Sequence, residues 1–498
     1  MLYNSTRGSE TVGVAQAIAQ GIASDGGLFV PENFPFVTDE DWQLLKNFTY
    51  KQLAVFVLNK YLGGDYTSED IKLFVDKAYS KEAFGDKPVV LNRVCDDKNL
   101  SVLELWHGPT FAFKDMALQI LPHLLIQAVE KTGEKKEIVI LVATSGDTGK
   151  AALEGFADVD GTKIVVFYPD EGVSAVQKLQ MVTQKGANVI VLAVEGNFDD
   201  AQTGVKKIFA NKELEEKMLQ KGFSFSSANS INWGRLVPQI VYYFSSYLSA
   251  VQASSIKMGD KINFVVPTGN FGNILAGFYA KCMGLPVNKF ICASNSNNVL
   301  ADFINTGCYN KKREFHKTIS PSMDILVSSN LERMLYQLTD GDSGQIKSWM
   351  QQLEQTGSYD IGEKYRVKMQ ENFSGYWVDD VATQKTITNV FKECKYLIDT
   401  HTAVAWHALE EYRRQTADNA YAIVVSTASP FKFASDVLAA LKEGKQEEEA
   451  FNALQELSAM SGLKIPENMK ALARLPIVHS GKVAVNEMQK AVEDILRI

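Results

Sequence analysis

A lysine follows a Gly-Pro turn and two phenylalanines in the run Trp106-His107-Gly108-Pro109-Thr110-Phe111-Ala112-Phe113-Lys114-Asp115. Directly after it, apolar residues recur at helical spacing through 116–129, so we predict a helix that begins at this lysine. Thr110 can cap that helix, and Asp115 suits the positive end of its dipole. A lysine at a buried helix start is partly desolvated, which lowers the pKa of its amine and favours Schiff-base chemistry. The alternative is a solvated lysine in the first turn of an ordinary helix.

From residue 138 onward, short apolar runs rich in valine and isoleucine alternate with segments of helical period. These runs lie at 138–142, 164–168, 189–194, 262–266, 290–293 and 422–426. Near-continuous apolar strands separated by helices indicate parallel sheets that are covered by helices on both faces. The pattern therefore predicts two doubly wound α/β regions, joined by a long helix at 233–251.

The alternation of patterns also predicts the domains. We expect an N-terminal, mainly helical domain (1–95), a larger α/β domain (96–134 and 229–498) and a smaller α/β domain (135–228). The clearest N-terminal helices are at 12–23 and 51–62. Residues 306–400 show helical runs without obvious strands, which predicts a helical elaboration of the larger domain.

The composition is that of a globular protein, with 46% hydrophobic and 22% charged residues. A net charge of −8 argues against a broad basic surface for nucleic acid. We see no apolar run long enough to cross a bilayer and no signal core at the N-terminus, so we expect a cytoplasmic protein with no membrane partner. The cysteines form no Cys-x-x-Cys pair, and we interpret them as reduced core residues: Cys95, Cys282, Cys292, Cys308 and Cys394. The six histidines are scattered, and no metal site is expected.

A glycine turn follows the predicted strand at 262–266 and leads into a helix. It reads Pro267-Thr268-Gly269-Asn270-Phe271-Gly272-Asn273. Backbone N–H groups in such a turn, together with the helix dipole, can bind a phosphate. The glycine spacing fits neither the Rossmann fingerprint nor a P-loop, and an ordinary strand-to-helix turn is the alternative.

A second glycine turn follows the predicted strand at 138–142. It reads Ala143-Thr144-Ser145-Gly146-Asp147-Thr148-Gly149-Lys150. Its glycines are too close together for a Walker A motif, and Ala151 stands where a magnesium-binding hydroxyl would be, so we reject nucleoside triphosphate binding. Hydroxyls and amides at a helix start can instead hold a carboxylate, and a plain capping turn is the alternative.

Polar residues in two other places are candidates for ligand binding. Thr427 follows the predicted strand at 422–426, and the carboxyl end of a parallel strand is where ligands of open α/β sheets bind. Asn232 and Arg235 stand at the start of the predicted long helix, where a guanidinium can bind a phosphate with two hydrogen bonds. The alternative for this pair is a surface arginine beside a capping asparagine.

The run around Lys114 resembles the lysine segment of the threonine synthase family, which are fold-type II enzymes dependent on pyridoxal 5′-phosphate (PLP). The turn at 269–273 is similar to the cofactor-phosphate loop of that family, and Ser5-Thr6-Arg7-Gly8 with the Gly26-Gly27 turn is similar to its N-terminus. The resemblance extends from residue 5 to residue 433. It implies an α/β fold of fold type II, with two mostly parallel sheets and a mainly helical N-terminal domain.

The resemblance also implies roles for individual residues. Lys114 would bind PLP covalently, Thr427 would hydrogen-bond the pyridine nitrogen, and Asp147 would lie near the cofactor. The PLP phosphate would be held by Gly269, Asn270, Phe271, Gly272 and Asn273. The substrate carboxylate would be held by Thr144, Ser145 and Thr148, and the substrate phosphate by Asn232 and Arg235. Ser429 and Phe431 depart from the pattern, because many relatives have histidine and alanine there.

The activity implied by the resemblance is the conversion of O-phospho-L-homoserine and water to L-threonine and phosphate, the last step of threonine biosynthesis. We expect a monomer or a homodimer. A serine or threonine dehydratase is one alternative, and it needs no second phosphate site. A PLP-fold regulatory protein that has lost catalysis is another, and a Rossmann dehydrogenase is disfavoured by the missing fingerprint.

Overall fold

The computed structural model describes residues 1–95, 98–133, 136–144, 146–170, 173–442 and 449–498. Its strands are β1 (Leu2–Ser5), β2 (Thr11–Gly13), β3 (Phe29–Pro31), β4 (Val90–Arg93), β5 (Leu100–Glu104), β6 (Glu137–Ala143), β7 (Thr162–Pro169), β8 (Val189–Glu195), β9 (Phe223–Ser226), β10 (Ile262–Pro267), β11 (Val287–Ser294), β12 (Cys308–Asn310), β13 (Ser358–Asp360), β14 (Phe373–Trp377), β15 (Ala422–Ser426) and β16 (Gly481–Ala484). The helices before residue 260 are α1 (Val14–Gln20), α2 (Asp39–Leu45), α3 (Tyr50–Leu62), α4 (Ser68–Ala78), α5 (Lys81–Phe84), α6 (Asp115–Leu118), α7 (Leu121–Lys131), α8 (Asp147–Phe156), α9 (Ala175–Val182), α10 (Phe198–Ala210), α11 (Lys212–Gln220), α12 (Trp233–Leu236) and α13 (Gln239–Gln252). The later helices are α14 (Gly272–Cys282), α15 (Val299–Thr306), α16 (Leu331–Leu338), α17 (Ser343–Thr356), α18 (Gly362–Gln370), α19 (Asp380–Cys394), α20 (Thr400–Thr416), α21 (Ala434–Leu441), α22 (Ala450–Ser461), α23 (Glu467–Leu472) and α24 (Met488–Leu496).

The N-terminal region is mainly helical, as predicted, and also contains a small antiparallel sheet of order β2-β1-β3. Thr38, Thr49 and Thr67 begin helices α2, α3 and α4 with capping boxes, in which the threonine hydroxyl and the third helical side chain each accept a backbone amide. The apolar faces of α3 and α4 join the largest hydrophobic core, which continues under both large sheets. This region therefore packs onto the α/β body rather than standing apart from it.

The larger sheet has the order β14-β11-β10-β15-β5-β4. All its pairings are parallel except that of β4, which runs antiparallel to β5. The central strands β10 and β15 are buried along their whole length, because helices cover both faces of the sheet. The two-sheet α/β prediction is thus confirmed, and β4 shows that the predicted N-terminal domain lends its last strand to the larger sheet.

The smaller sheet has the order β16-β8-β7-β6-β9 and is parallel throughout. Its edge strand β16 and the packed helix α24 come from the C-terminal end of the chain. Our prediction places all of 229–498 in the larger domain, and it is wrong for 481–496. The sequence does not show that this C-terminal segment joins the smaller sheet, because local periodicity predicts a strand but not the sheet edge that it joins.

Some predicted elements are interrupted or were missed. The helix predicted after Lys114 is divided into α6 and α7, and the predicted bridging helix is divided into α12 and α13. Pro122 and Pro238 stand where α7 and α13 begin. Proline lacks an amide hydrogen and cannot continue the hydrogen bonds of a preceding helix, so each helix is interrupted there. The elaboration at 306–400 holds helices, as expected, but also the antiparallel pair β12-β13 and the edge strand β14.

Two cysteines correct an expectation. Cys95 and Cys394 form a disulfide between residues 299 positions apart in the sequence, so they are not reduced core thiols. Cys292 is buried as expected, whereas Cys308 is exposed. Within the described ranges, no helix is both long enough and apolar enough to cross a membrane.

Candidate active site

A cavity of about 360 Å³ lies between the two large sheets, a volume in the range of ligand sites. Its walls come from the carboxyl ends of β10, β15 and β6, from the segment that carries Lys114, and from one face of α10. Parallel strands place their following loops at one edge of a sheet, which is where open α/β sheets bind ligands. The residues predicted from separate motifs meet here.

The lysine segment is fixed against the end of β15 by an antiparallel bridge between Ala112 and Ala428. The Phe113 amide donates to the Thr427 carbonyl at 2.8 Å, and the Ser429 amide donates to the Phe111 carbonyl at 3.1 Å. These two bonds set where the next residue, Lys114, enters the cavity.

The Lys114 side chain is only 12% exposed. Burial lowers the pKa of its amine to about 8, and the positive charges of Arg235 and Lys432 act in the same direction while Asp147 opposes them. At pH 7 about a tenth of such an amine is neutral, far more than for an ordinary lysine, and the neutral form is what a nucleophile or a proton acceptor requires.

Thr110 does not cap the helix as we predicted. Its amide and its hydroxyl both donate to the buried Asp115 carboxylate, at 2.8 and 2.7 Å. Burial nevertheless raises the pKa of Asp115 to about 6, because a charged carboxylate is poorly solvated there. The two residues close the Gly-Pro turn from inside and hold the start of α6 in place.

Asp147 begins α8 on the smaller sheet and is 5% exposed. Its carboxylate accepts hydrogen bonds from Lys432 (2.8 Å), Gln177 (2.8 Å) and Ser322 (2.9 Å), and its Oδ2 lies 3.7 Å from Nζ of Lys114. Burial alone would raise the pKa of this carboxyl, but the Lys432 and Lys114 ammonium groups hold it well below its usual range. Asp147 thus joins both α/β units at the cavity.

The glycine turn at 269–273 lines the cavity at the start of α14. Phe271 occupies the helix N-cap with a left-handed φ of 62°, and the first amide to donate within the helix is that of Leu275. None of the amides at 272–274 donates to a residue that the structure describes. Unpaired amides at the positive end of a helix dipole form an anion site.

Asn273 adds a polar side chain to that site. Its Oδ1 accepts hydrogen bonds from Tyr242 (2.6 Å) and Tyr243 (2.8 Å), which orients the amide. Its Nδ2 is buried and has no partner within the described chain. A buried donor without an acceptor is unfavourable, so this atom is suited to a ligand oxygen.

The predicted carboxylate loop and the strand-end threonine are also in place. Thr144 and Thr148 line the cavity, and Thr144 Oγ1 accepts the amides of Gly146 and Gly149 at 3.0 and 2.9 Å. Ser145, predicted with them, lies outside the described residues. The Thr427 hydroxyl lines the opposite side and forms no hydrogen bond with any residue that the structure describes.

Of the two residues predicted to bind the substrate phosphate, Arg235 lines the cavity and Asn232 does not. Arg235 lines the cavity, donates to the Ala228 carbonyl at 2.7 Å and forms no ion pair with a described acidic residue; burial lowers the pKa of its guanidinium to about 10. Asn232 is not among the described residues that line the cavity. Its Nδ2 donates to the carbonyls of Ile18 and Ser227, and its Oδ1 accepts the amide of Gly234. The side chain therefore caps α12 and does not support the phosphate role that we predicted.

Sequence reasoning missed several residues that line the cavity. Asn229 and Ser230 could have been found, because they directly precede the predicted pair at 232 and 235. Ser322 and His401 gave no spacing signal; the His401 ring is bonded to Asp399 at 2.8 Å and accepts the Ser322 amide at 3.2 Å.

Comparison with known proteins follows the same division of the chain. Residues 2–79 match a family described as threonine synthase N terminus, 96–428 match pyridoxal-phosphate dependent enzymes, and 402–476 match the threonine synthase C-terminal family. The chain is 37% identical to threonine synthase of Saccharomyces cerevisiae, covering 95% of this chain and 93% of that protein. It superposes on the PLP-bound threonine synthase structure from Brucella melitensis with a TM-score of 0.87 and 36% identity, covering 100% and 99% of the two chains.

Threonine synthase-like 1 of Homo sapiens is 38% identical over 90% of this chain, but the chain spans only 61% of the length of that protein. The yeast and Brucella proteins, in contrast, are matched over nearly their whole length. These similarities confirm the resemblance seen around Lys114. The chain belongs to the threonine synthase family of pyridoxal-phosphate dependent enzymes.

Proposed function

We propose that this protein converts O-phospho-L-homoserine and water to L-threonine and phosphate, with PLP bound through Lys114. The strongest support is that a mostly buried lysine and two separate anion-binding groups lie in one cavity. One group is the start of α14, and the other is the buried guanidinium of Arg235, which forms no ion pair with any acidic residue that the structure describes. A substrate that carries its own phosphate needs an anion site in addition to the one for PLP.

The residues of the cavity fit PLP. The amides at 272–274 and the unpaired Nδ2 of Asn273 match a phosphate, which offers several acceptor oxygens. The Thr427 hydroxyl has no other partner in the described chain and suits a ring nitrogen, and Lys114 supplies an amine with a pKa lowered to about 8 by burial. When bound, PLP supplies an electron sink for negative charge at the substrate Cα.

The roles of the chain's own residues follow from their positions. Lys114 is placed to take and return the proton at the substrate Cα, since its lowered pKa leaves part of the amine neutral. Thr427 is a neutral partner, so it orients the pyridine ring without holding the nitrogen protonated as a carboxylate would. Thr144 and Thr148 stand across the cavity at the start of α8, where a substrate carboxylate would meet the helix dipole.

We assign the substrate phosphate to Arg235, aided by Asn229 and Ser230 from the same segment. Among the described residues no carboxylate pairs with this buried guanidinium, which is unfavourable until an anion binds, and a guanidinium matches phosphate oxygens bidentately. Residues of both α/β units line the cavity, so the reacting groups are held between the two units. Ser145 stays a prediction for the carboxylate site.

One assay tests the proposed reaction against its main alternative. The purified protein is offered O-phospho-L-homoserine, L-serine and L-threonine in parallel, while released phosphate and keto acid are measured. We expect phosphate and threonine from the first substrate only. Rapid keto acid from threonine with no phosphate from phosphohomoserine would contradict the proposal and favour a dehydratase.

Location and assembly are also proposals. We place the protein in the cytoplasm as a monomer or homodimer, supported by its globular composition and moderate negative charge. Cys95 and Cys394 form a disulfide and therefore do not support this location. Cell fractionation and light scattering on the purified protein test the two statements.

A further inference from the structure

Lys114 shares its aspartate with a second lysine. Nζ of Lys432 lies 2.8 Å from Oδ1 of Asp147, whereas Nζ of Lys114 lies 3.7 Å from Oδ2 of the same carboxylate. The first distance is that of a charge-assisted hydrogen bond and the second is longer than one. The aspartate is therefore paired closely with the lysine that does not line the cavity.

Lys432 is fully buried and held by two polar contacts. Its side chain has no exposed surface, and it stands in a short 3₁₀ helix at Pro430–Phe433, just after the Thr427 strand end. Besides Asp147, its Nζ donates to the Thr110 carbonyl at 2.9 Å, within the turn that precedes Lys114. Lys432 thus contacts both the aspartate and the backbone of the lysine segment.

The other charged groups near Lys114 do not replace this arrangement. Arg235 adds positive charge from α12, Lys206 lines the same cavity from α10, and the carboxylate of Asp115 on α6 accepts hydrogen bonds from Thr110. Asp324 and His401 line the same cavity but are bonded to Thr318 and Asp399 respectively. Asp147 is the carboxylate that the Lys114 amine approaches most closely within the described chain.

We propose that Lys432 is a positioning residue that keeps Asp147 as its own counter-ion and thereby prevents Lys114 from forming a tight ion pair. It acts in two ways: it occupies the carboxylate, and its positive charge repels a proton on Lys114. Both effects leave the Lys114 amine neutral at lower pH than a freely paired lysine. This inference rests on the proposed role of Lys114 as the PLP lysine.

The step that depends on a neutral amine is the capture of PLP. The Lys114 nitrogen forms a bond to the aldehyde carbon, the aldehyde oxygen leaves as water with both amine protons, and a C=N double bond remains. A protonated amine has no electron pair for this attack. The pH at which capture becomes fast therefore reports the pKa of Lys114 in the free protein.

The test follows the rate of PLP capture by the full-length protein after removal of its cofactor, from pH 6 to pH 10, by borohydride quenching at set times and mass analysis of the adduct on Lys114. For the unmodified chain we expect a midpoint near the pKa of about 8 that burial gives Lys114. In Lys432→Met the midpoint should rise by about one unit, which slows capture at pH 7 by about tenfold. Lys432→Gln, which keeps a neutral hydrogen-bond donor, repeats the measurement if the methionine variant does not fold.

Two further variants identify the route of the effect. Asp147→Asn should lower the midpoint, and adding Lys432→Met to it should raise the midpoint by less than in the unmodified background, because part of the effect passes through Asp147. Lys150→Met is the matched control: it removes a different buried lysine, on α8, which is paired with Glu154 at 2.7 Å, and it should leave the midpoint unchanged. An unchanged midpoint in both Lys432 variants, or an equal rise with and without Asp147, would overturn the inference.

Failure of this inference is distinguishable from failure of the proposed function. If PLP is captured on Lys114 but the midpoints coincide, only the role of Lys432 is wrong. If PLP is captured equally well by Lys114→Ala, the proposed role of Lys114 is wrong as well.

Discussion

Arg333 donates from Nη1 to Oδ1 of Asn330 at 2.6 Å, and Asn330 in turn donates from Nδ2 to the carbonyl of Asn270 at 3.1 Å in the glycine turn. The same guanidinium donates to the carbonyls of Phe29 (2.9 Å) and Ile231 (2.6 Å). It therefore connects the N-terminal region, the segment before α12 and the turn that begins α14. Two of these three places border the cavity.

We expect Arg333→Met to lower the free energy of unfolding by about 3 kcal/mol, because buried hydrogen bonds to a charged group are lost. It should also weaken PLP binding by about tenfold, since the turn at 269–273 loses its support through Asn330. Urea unfolding and a PLP titration measure the two effects. Arg413→Met is the control: Arg413 also donates to three carbonyls, but around Asn99 and Ala420, near the amino ends of β5 and β15. Equal loss of PLP affinity in both variants would contradict a specific role for Arg333.

Lys114→Ala should leave a folded protein that no longer binds PLP covalently. Asp147 keeps Lys432 as its partner in this variant, so no buried carboxylate is left without a counter-charge. Borohydride reduction followed by peptide mass analysis measures the adduct, which we expect on Lys114 in the unmodified chain and in Lys150→Ala. A PLP adduct on another lysine of Lys114→Ala would show that the assignment is wrong.

Two glycines of the α14 turn should respond differently to alanine. A Cβ atom at Gly272 would meet Asn330 Nδ2 at 3.4 Å, an ordinary contact, so Gly272→Ala should fold normally and weaken PLP binding through crowding at the phosphate. A Cβ atom at Gly269 would meet the Ser322 carbonyl and Met323 Cα at 3.1 Å, so Gly269→Ala should destabilise the cofactor-free protein by about 1–3 kcal/mol. Thermal unfolding without PLP and PLP titration separate the two. Unchanged PLP affinity in Gly272→Ala would count against the loop as the phosphate site.

Arg235→Met should raise KM for O-phospho-L-homoserine by about tenfold or more, since a charge-assisted contact is worth about 1.5–3 kcal/mol. PLP affinity should change little, because the PLP phosphate is assigned to the turn at 269–273 instead. Steady-state kinetics and a PLP titration on the same preparation measure both. A variant that loses PLP but keeps its KM would move the guanidinium from the substrate phosphate to the cofactor.

Much of the fold could be predicted from local patterns. A strand that is apolar on both faces is buried only if helices cover both faces of its sheet, so the alternation of such strands with helical segments predicted two parallel sheets. The observed bounds of β10 and β15 lie within a residue of the predicted runs. Turn chemistry is also local, which is why the turn at 269–273 appears where it was predicted. Lys114 was found because its Gly-Pro-aromatic context is contiguous in the chain.

The sequence by itself therefore determined the α/β class, the lysine segment and the glycine turns, because these depend on neighbours within a few residues. Only the tertiary structure decided the partners across the cleft. Lys432 and Asp147 are 285 positions apart and pair because the segments that follow β15 and β6 meet at the cavity, and no periodicity reports that contact. Contacts between distant parts of the chain also decide that β16 joins the smaller sheet and that Cys95 forms a disulfide with Cys394. They likewise decide that the Asn232 side chain donates to backbone carbonyls and not to a phosphate.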